Sequence, residues 1–142
     1  MKMTEEDAKR AVEDFCRLGL YGADFMRSLT PEQVASACNG CGPASWKEEH
    51  RQKLDKWLKT FKLAFDGHDC DFTYRNDGTR KTFDEANDRL GKNCKVLADY
   101  KYAWYNPVRY LARHGGYVIA DLCSAFGWED YLKAYNEKGK TS

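Results

Sequence analysis

Apolar side chains recur along this chain at steps of three and four residues, which is the spacing of one face of an α-helix. One of these stripes runs from Leu54 to Phe72 and passes through Gly67 and His68. Gly67 disfavours a helix by about 1 kcal/mol relative to Ala, but His68 still falls on the apolar face. Strand-like alternation is scarce, so the pattern predicts an all-α fold.

Capping residues mark the starts of the first two predicted helices. Thr4 precedes three carboxylates, and Thr30 precedes Pro31, and both arrangements are typical of helix N-termini. The second helix is expected to end at Cys38, because Asn39-Gly40 is a pair that disfavours helix.

The second half of the chain carries two more helical stripes, over residues 83–97 and 107–126. Gly115-Gly116 inside the last stripe predicts a kink or a break in that helix. Asn76-Asp77-Gly78-Thr79 predicts a turn, which could close a short hairpin near residues 73–82.

Length and charge narrow the classes of function. The chain has 142 residues, which predicts one helical domain over residues 1–142. Its net charge of +1, with cations and anions interspersed, argues against nucleic-acid binding. The first residues lack the apolar core of a signal peptide, and no apolar run nears the roughly 20 residues of a membrane span. We expect a cytoplasmic protein, or one encoded by a phage or another mobile element.

Six cysteines stand out in a chain without an export signal. A reducing compartment favours free thiols over disulfides, so we expect most of these thiols to be buried. Zinc would need ligands clustered at short spacing. Only Cys38 and Cys41 have that spacing, with His50 as a distant extra ligand and no second pair.

The residues that indicate chemistry are His68 and Asp69, together with the glycine-rich segment that precedes them at residues 39–43. Imidazole can take a proton from water near neutral pH. A carboxylate beside it can bind a hard cation such as Ca²⁺, and glycine-rich backbone can add carbonyl ligands. This combination predicts calcium-assisted attack by water on an ester.

These residues resemble the phospholipase A2 superfamily, in which a helical His-Asp pair is followed by an aromatic residue four positions after the His. The resemblance covers about residues 39–97 and includes Phe72 and the Tyr74-Arg75-Asn76 run, as in the small prokaryotic members. It implies an antiparallel helix pair, with extra N- and C-terminal helices, that hydrolyses an acyl ester of a glycerophospholipid. By resemblance His68 is the general base, and the Ca²⁺ ligands are Asp69, Asn39, Gly40 and Gly42.

The chain also departs from this family. Ala64 and Phe65 stand where secreted members carry paired cysteines, so their disulfide framework is absent. Phe72 lacks the hydroxyl that normally supports a distal carboxylate. An alignment shifted by two residues would instead place Cys70 at the His position and Tyr74 at the aromatic one.

The family orients its His with a distal Asp on a second long helix, and three residues here compete for that place. The apolar stripe puts Asn87 on the inner face, whereas the Asp-Arg pattern of the secreted enzymes matches Asp88. Asp84 is a third option. An Asn can hold the imidazole but cannot offset the charge of an imidazolium, so we favour Asn87 and expect weak or lost activity.

Two other functions remain open on the sequence alone. The chain could be a non-catalytic binding or structural module of phage type, or a helical adaptor for an unidentified protein. A membrane or a partner could contact an aromatic and basic surface near the last helix, formed by Tyr100, Tyr102, Trp104, Tyr105 and Arg109. His50 and His114 are read as a solvated helix face and a helix C-terminal cap.

Overall fold

The protein is described by a computed structural model over residues 2–40, 57 and 59–140. Within these residues all regular structure is α-helical, as the apolar pattern predicts. None of the helices described there is long and apolar enough to cross a bilayer. The seven helices are α1 Glu5–Arg17, α2 Ala23–Ser28, α3 Pro31–Gly40, α4 Lys62–Tyr74, α5 Arg80–Lys101, α6 Pro107–Phe126 and α7 Trp128–Lys140.

Reciprocal side-chain caps begin α1 and α3. The Asp7 N–H donates to the Thr4 hydroxyl at 3.0 Å, and the Thr4 N–H donates to Asp7 at 3.2 Å. Thr30 and Gln33 make the same exchange at the start of α3. Each exchange satisfies donors that a helix N-terminus leaves unpaired, so both predicted starts are confirmed.

The helix α3 continues to Gly40, two residues beyond its predicted end at Cys38. Its inner side packs into the core through Val34 and Ala37, which are fully buried. Packing of this kind outweighs the roughly 1 kcal/mol by which a glycine disfavours helix.

The helices α5 and α6 pack closely and run antiparallel. Small residues line their contact, and a Cβ atom added at Gly116 would lie 2.4 Å from the Cβ of Cys94. The predicted break at Gly115-Gly116 is wrong, because α6 is one continuous helix, and Gly116 lies in close packing against Cys94. For the same reason His114 lies inside α6 and does not cap a C-terminus.

A cluster of charges ties the C-terminal end of α5 to the N-terminal end of α6. Arg113 donates two hydrogen bonds to Asp99, at 2.6 and 2.8 Å, and Arg109 donates another at 2.8 Å. These bonds, those from Arg113 above all, hold the pKa of the Asp99 carboxyl well below its usual range. The cluster fixes the angle at which the turn at residues 102–106 connects the two helices.

The helix α4 lies against α1, α3 and α5, and it passes through Gly67 as predicted. At Gly67 the ring of Phe15 comes so close that an added Cβ would lie 2.7 Å from its Cε2. A larger residue would push α1 away from the turn of α4 that carries His68. Gly67 is thus required by packing, which compensates for its low helix propensity.

The predicted hairpin near residues 73–82 is wrong. The helix α4 extends to Tyr74, α5 begins at Arg80, and the residues between them form a turn. The Gly78 N–H donates to Asn76 Oδ1 at 2.9 Å, and the Thr79 N–H donates to Asp77 Oδ1 at 2.9 Å. Side-chain oxygens accept the hydrogen bonds of these backbone N–H groups, so the turn does not need the pairing of two strands.

The two adjacent glycines of α6 should respond oppositely to substitution. Gly116→Ala inserts a methyl group against Cys94, so we expect it to lower the free energy of unfolding by about 1–3 kcal/mol. Gly115→Ala is the matched control, because its Cβ would make an ordinary 3.7 Å contact with Trp57. Alanine should there stabilise the helix by up to about 1 kcal/mol. Urea denaturation followed by circular dichroism compares the two, and equal stabilities would contradict the packing role of Gly116.

Candidate functional site

The site is built around His68, which is buried on the face of α4 that meets α5. Its Nε2 atom lies 2.8 Å from Oδ1 of Asn87, on the facing turn of α5. The amide oxygen carries no hydrogen, so in this arrangement Nε2 donates and the Nδ1 atom keeps the lone pair. Among the described residues this is the one hydrogen bond to the ring.

Burial decides the charge of His68. The loss of solvation lowers the pKa of the imidazole, while the hydrogen bond to Asn87 and the nearby Asp71 raise it and Arg89 lowers it further. The net shift is downward, so the ring is neutral at pH 7. The unfolded chain takes up this proton near pH 6.5 while the folded chain does not. This group therefore costs stability as the pH falls through that value.

Of the three residues considered as the partner of His68, Asn87 is the one that contacts the ring. Its side chain is 2 % exposed and faces His68. Asp88 instead points outward and forms an ion pair with Lys92 at 2.9 Å. Asp84 is likewise exposed on the surface of α5. The apolar stripe therefore placed Asn87 correctly, whereas the Asp-Arg pattern did not indicate the residue that contacts the ring.

The amide nitrogen of Asn87 is an exception to normal hydrogen bonding. Its Nδ2 atom is buried and finds no acceptor among the described residues. A buried polar group without a partner costs about 1–3 kcal/mol. The chain therefore keeps a costly donor directly beside its buried histidine.

An ion pair lies beside the His68–Asn87 bond in the same interface. Arg89 on α5 donates from Nε to Asp71 on α4 at 2.9 Å, and both side chains are largely buried. Arg75 approaches the other oxygen of Asp71 at 3.7 Å. No pattern within a single helix predicts this pair. Asp71 follows His68 by three residues, which puts it on the same face of α4, and that position was the available signal.

Aromatic rings close the other side of the histidine. The ring centroid of Phe72 lies 4.3 Å from that of His68, and Tyr131 of α7 packs edge-on against Phe72 at 4.8 Å. Phe83 completes this aromatic wall, 5.2 Å from Tyr131. The wall shields one face of the imidazole from water.

Asp69, the expected cation ligand, lies half-buried on α4. Burial raises the pKa of its carboxyl well above the usual range, and the neighbouring Asp66 raises it further. Its carboxylate makes no hydrogen bond with a described residue, whereas Asp66 is bound by Lys62 at 2.9 Å. Among the described residues, Asp69 is thus the carboxylate of α4 without a side-chain partner.

The rest of the expected cation shell is described only in part. The backbones of Asn39 and Gly40 form the last turn of α3, and Gly42 lies outside the described residues. Cys38, in the same turn of α3, lies 3.8 Å from the carbonyl oxygen of Asp66. This contact brings the end of α3 next to the turn of α4 that carries Asp69. Over residues 2–40, 57 and 59–140, no three His, Cys, Asp or Glu side chains converge on a metal position.

The five described cysteines are free thiols. Cys70 and Cys94 are fully buried, and the other three are half-buried, which agrees with the expected buried thiols. The thiol of Cys38 contacts that of Cys70, and this contact together with burial raises the pKa of Cys38. Cys70 therefore belongs to the packing of α3 on α4 and not to the His68 site. Cys41 and His50 lie outside the described residues.

A groove of about 610 Å³ opens between α1 and α4, but it is not lined by His68 or Asn87. Asp7, Arg10 and Asp14 form one wall, and Lys62 and Asp66 form the other. Apolar side chains such as Leu63 also line it, and its three carboxylates are ion-paired with Arg10, Arg17 and Lys62.

Comparison with known proteins leaves the site to be interpreted on its own geometry. The chain matches no protein-family model, no curated protein and no solved structure.

The buried ion pair should matter far more than an exposed one on the same helix. Arg89→Met leaves the Asp71 carboxylate buried with only the longer contact to Arg75, so we expect a loss of about 3 kcal/mol in the free energy of unfolding. Lys92→Met is the matched control, because its bond to Asp88 is exposed and should contribute at most about 1 kcal/mol. Urea denaturation measures both variants. Similar losses would contradict the structural role of the buried pair.

Proposed function

We propose that this protein is a phospholipase A2-like hydrolase that cleaves an acyl ester of a glycerophospholipid with the help of Ca²⁺, at a low rate. The observation that carries the proposal is His68, a buried and neutral imidazole held through Nε2. An imidazole held in this way presents its Nδ1 lone pair as a base. The antiparallel packing of α4 and α5, which brings Phe72 to Phe83 and His68 to Asn87, agrees with the helix pair that the resemblance implies.

In the proposed reaction His68 Nδ1 takes a proton from a water molecule, and the resulting hydroxide attacks the ester carbonyl carbon. The proton then passes from Nδ1 to the leaving alkoxide, which returns the ring to its neutral form. Asn87 keeps the ring in the required tautomer and orientation throughout. The aromatic wall of Phe72 and Tyr131 limits the water that reaches the ring.

The residues present fit a calcium ion. Asp69 offers a carboxylate that makes no hydrogen bond with a described residue, and the last described turn of α3 offers backbone carbonyl groups, which are also ligands that Ca²⁺ prefers. Residues Asn39 and Gly40 belong to that turn. A bound Ca²⁺ would supply Lewis-acid stabilisation of the oxyanion that forms on the ester carbonyl.

Asn87 explains why the proposed rate is low. An imidazolium forms at His68 in the transition state, and an amide cannot offset its charge as a carboxylate would. This same feature favours the second candidate function, a non-catalytic module that retains the packing of α4 and α5. An adaptor of this kind would neither hydrolyse esters nor respond to Ca²⁺.

The catalytic proposal is tested by substitutions on both sides of the buried hydrogen bond. His68→Ala should abolish calcium-dependent acyl release, whereas Asn87→Asp should increase it by about tenfold or more, because the carboxylate stabilises the imidazolium. Asp88→Asn is the control and should leave the rate unchanged, since Asp88 faces solvent. Titration of the His68 ring by NMR should give a higher pKa in Asn87→Asp than in the parent. Acyl release that survives His68→Ala would refute the proposal.

Calcium binding is tested by thermal denaturation with and without the ion. Binding to the folded state alone should stabilise it by about 2.7 kcal/mol at a hundredfold excess over Kd. Asp69→Asn should remove this stabilisation, and Asp84→Asn should not, because Asp84 lies on the exposed face of α5. Because the pKa of Asp69 is raised, protons should compete with the ion and the shift should shrink as the pH falls. The absence of any calcium-induced shift would favour the adaptor.

A further inference from the structure

Two cysteine thiols from different helices lie against each other where α3 packs on α4. The Sγ atom of Cys38 is 3.8 Å from the carbonyl oxygen of Asp66. Within an α-helix such a carbonyl accepts the N–H of the residue four positions later, which here is Cys70. The thiol of Cys38 therefore lies over the turn of α4 that ends at Cys70, and it contacts the Cys70 thiol.

A second contact between the same two helices places Cys70 inside their interface. The Tyr74 hydroxyl donates to the carbonyl of Gln33 at 2.7 Å. From this contact to that of Cys38 with Asp66, the numbering rises along α3 and falls along α4, so the helices run in opposite directions here. Cys70 is fully buried, midway between Asp66 and Tyr74. Contacts on both sides of it therefore keep the two thiols together.

Solvent reaches one of these thiols and not the other. Cys38 lines the groove that opens between α1 and α4. Cys70 is 0 % exposed and lies behind it. A small molecule that enters the groove therefore meets Cys38 first, and Cys70 is the thiol that can react with what forms there.

The other described thiols do not have this combination of features. Cys16 contacts the carbonyl oxygen of Ala23 at 3.7 Å. Cys94 lies on α5 and Cys123 on α6, and neither of them lines the groove. Over the part of the chain that the structure describes, mutual contact and access from the groove occur together in Cys38 and Cys70.

We propose that Cys38 and Cys70 form a reversible disulfide when a peroxide enters the groove, and that this bond locks α3 to α4. The Cys38 sulfur attacks hydrogen peroxide, the O–O bond breaks, and a sulfenic acid and one water form. The Cys70 sulfur then attacks the sulfenic sulfur, so that the S–S bond forms, the S–O bond breaks and a second water leaves. The two thiols together lose two protons and two electrons, and one peroxide molecule takes them up.

The surroundings of Cys38 make the first step slow. The contact with Cys70 raises the pKa of the Cys38 thiol, and burial and the neighbouring Asp66 and Asp69 raise it further. Because a thiol attacks as its thiolate, the pair stays reduced until peroxide is abundant. In a reducing compartment thiols would open the bond again. The pair is therefore a switch that responds to a high concentration of oxidant, and not a permanent staple.

Treatment of the full chain with hydrogen peroxide tests this switch. Peptide mapping by mass spectrometry without reduction should find the peptides of Cys38 and Cys70 joined, and dithiothreitol should separate them. The bond closes a loop of about 30 residues, so the melting temperature should rise by about 10 °C and should fall back after reduction.

Substitutions identify the thiols that take part. Cys70→Ala should keep the same melting temperature with and without peroxide, and its Cys38 should accumulate as a sulfenic acid that dimedone traps. Cys94→Ala is the matched control, because Cys94 is as buried as Cys70 but lies on α5, and it should cross-link as the parent does. Cys41→Ala should also cross-link. Each variant is compared with the parent before oxidation, which measures any loss of packing separately.

Three results would overturn the proposal. One is a treated chain in which Cys38 is joined to Cys41 or stays unlinked. Another is a disulfide of Cys38 that survives Cys70→Ala. The third is a linked pair with a lowered melting temperature, because α3 and α4 in their native positions would then not accommodate the bond. None of these measurements involves ester hydrolysis, so the switch and the proposed function can fail separately.

Discussion

The interface between α4 and α5 buries polar side chains that have to find partners on the opposite helix. His68 meets Asn87 there, and Asp71 meets Arg89. A charge or an amide left alone in this interface would cost several kcal/mol, which is a large part of the stability of a domain of this size. Apolar side chains would tolerate a small slide of one helix along the other. These two polar contacts do not, so they fix the register of α4 on α5.

Once this register is fixed, the surroundings of the histidine follow. Phe72 is one helical turn beyond His68 and reaches Phe83 of α5, and Tyr131 of α7 packs over both rings. The ring is therefore enclosed by aromatic carbon on one face and by an amide at its Nε2 edge. Such surroundings disfavour a charged imidazolium, which explains why its pKa is lowered. The same features that stabilise the interface therefore keep the imidazole neutral.

Helical periodicity was enough to predict part of this arrangement. It gave the all-α fold, the passage of α4 through Gly67 and the inward position of Asn87, because each depends on the spacing of apolar residues along a single helix. The partners of Asp71 and of Phe72 depend on how separate helices meet. Arg89 and Tyr131 carry no local signal of those contacts, so only the tertiary structure identifies them.

The glycines of α6 also show that the effect of a residue on its helix can depend on a neighbouring helix. A glycine pair inside a helix is expected to weaken it, and from the sequence alone a kink at Gly115-Gly116 was a reasonable prediction. In the structure Gly116 lies against Cys94, where an added Cβ atom would lie 2.4 Å from the Cβ of Cys94 and would force the helices to shift. The cost in helix propensity is about 1 kcal/mol, whereas the contact it permits joins the two longest helices. The neighbouring helix therefore decides whether a glycine interrupts its own helix or allows two helices to pack closely.

The amide nitrogen of Asn87, which finds no acceptor among the described residues, bears on both candidate functions. If the interface served stability alone, an apolar residue opposite an apolar partner would avoid a cost of about 1–3 kcal/mol. A histidine and an asparagine are retained instead, and they leave one donor unused. A carboxylate at the same position would leave no hydrogen-bond donor without an acceptor. It would, however, bring a negative charge close to Asp71 in a region of low dielectric. Asn87 therefore orients the imidazole without adding a second buried charge, at the expense of the electrostatic help that a fast ester hydrolase would need.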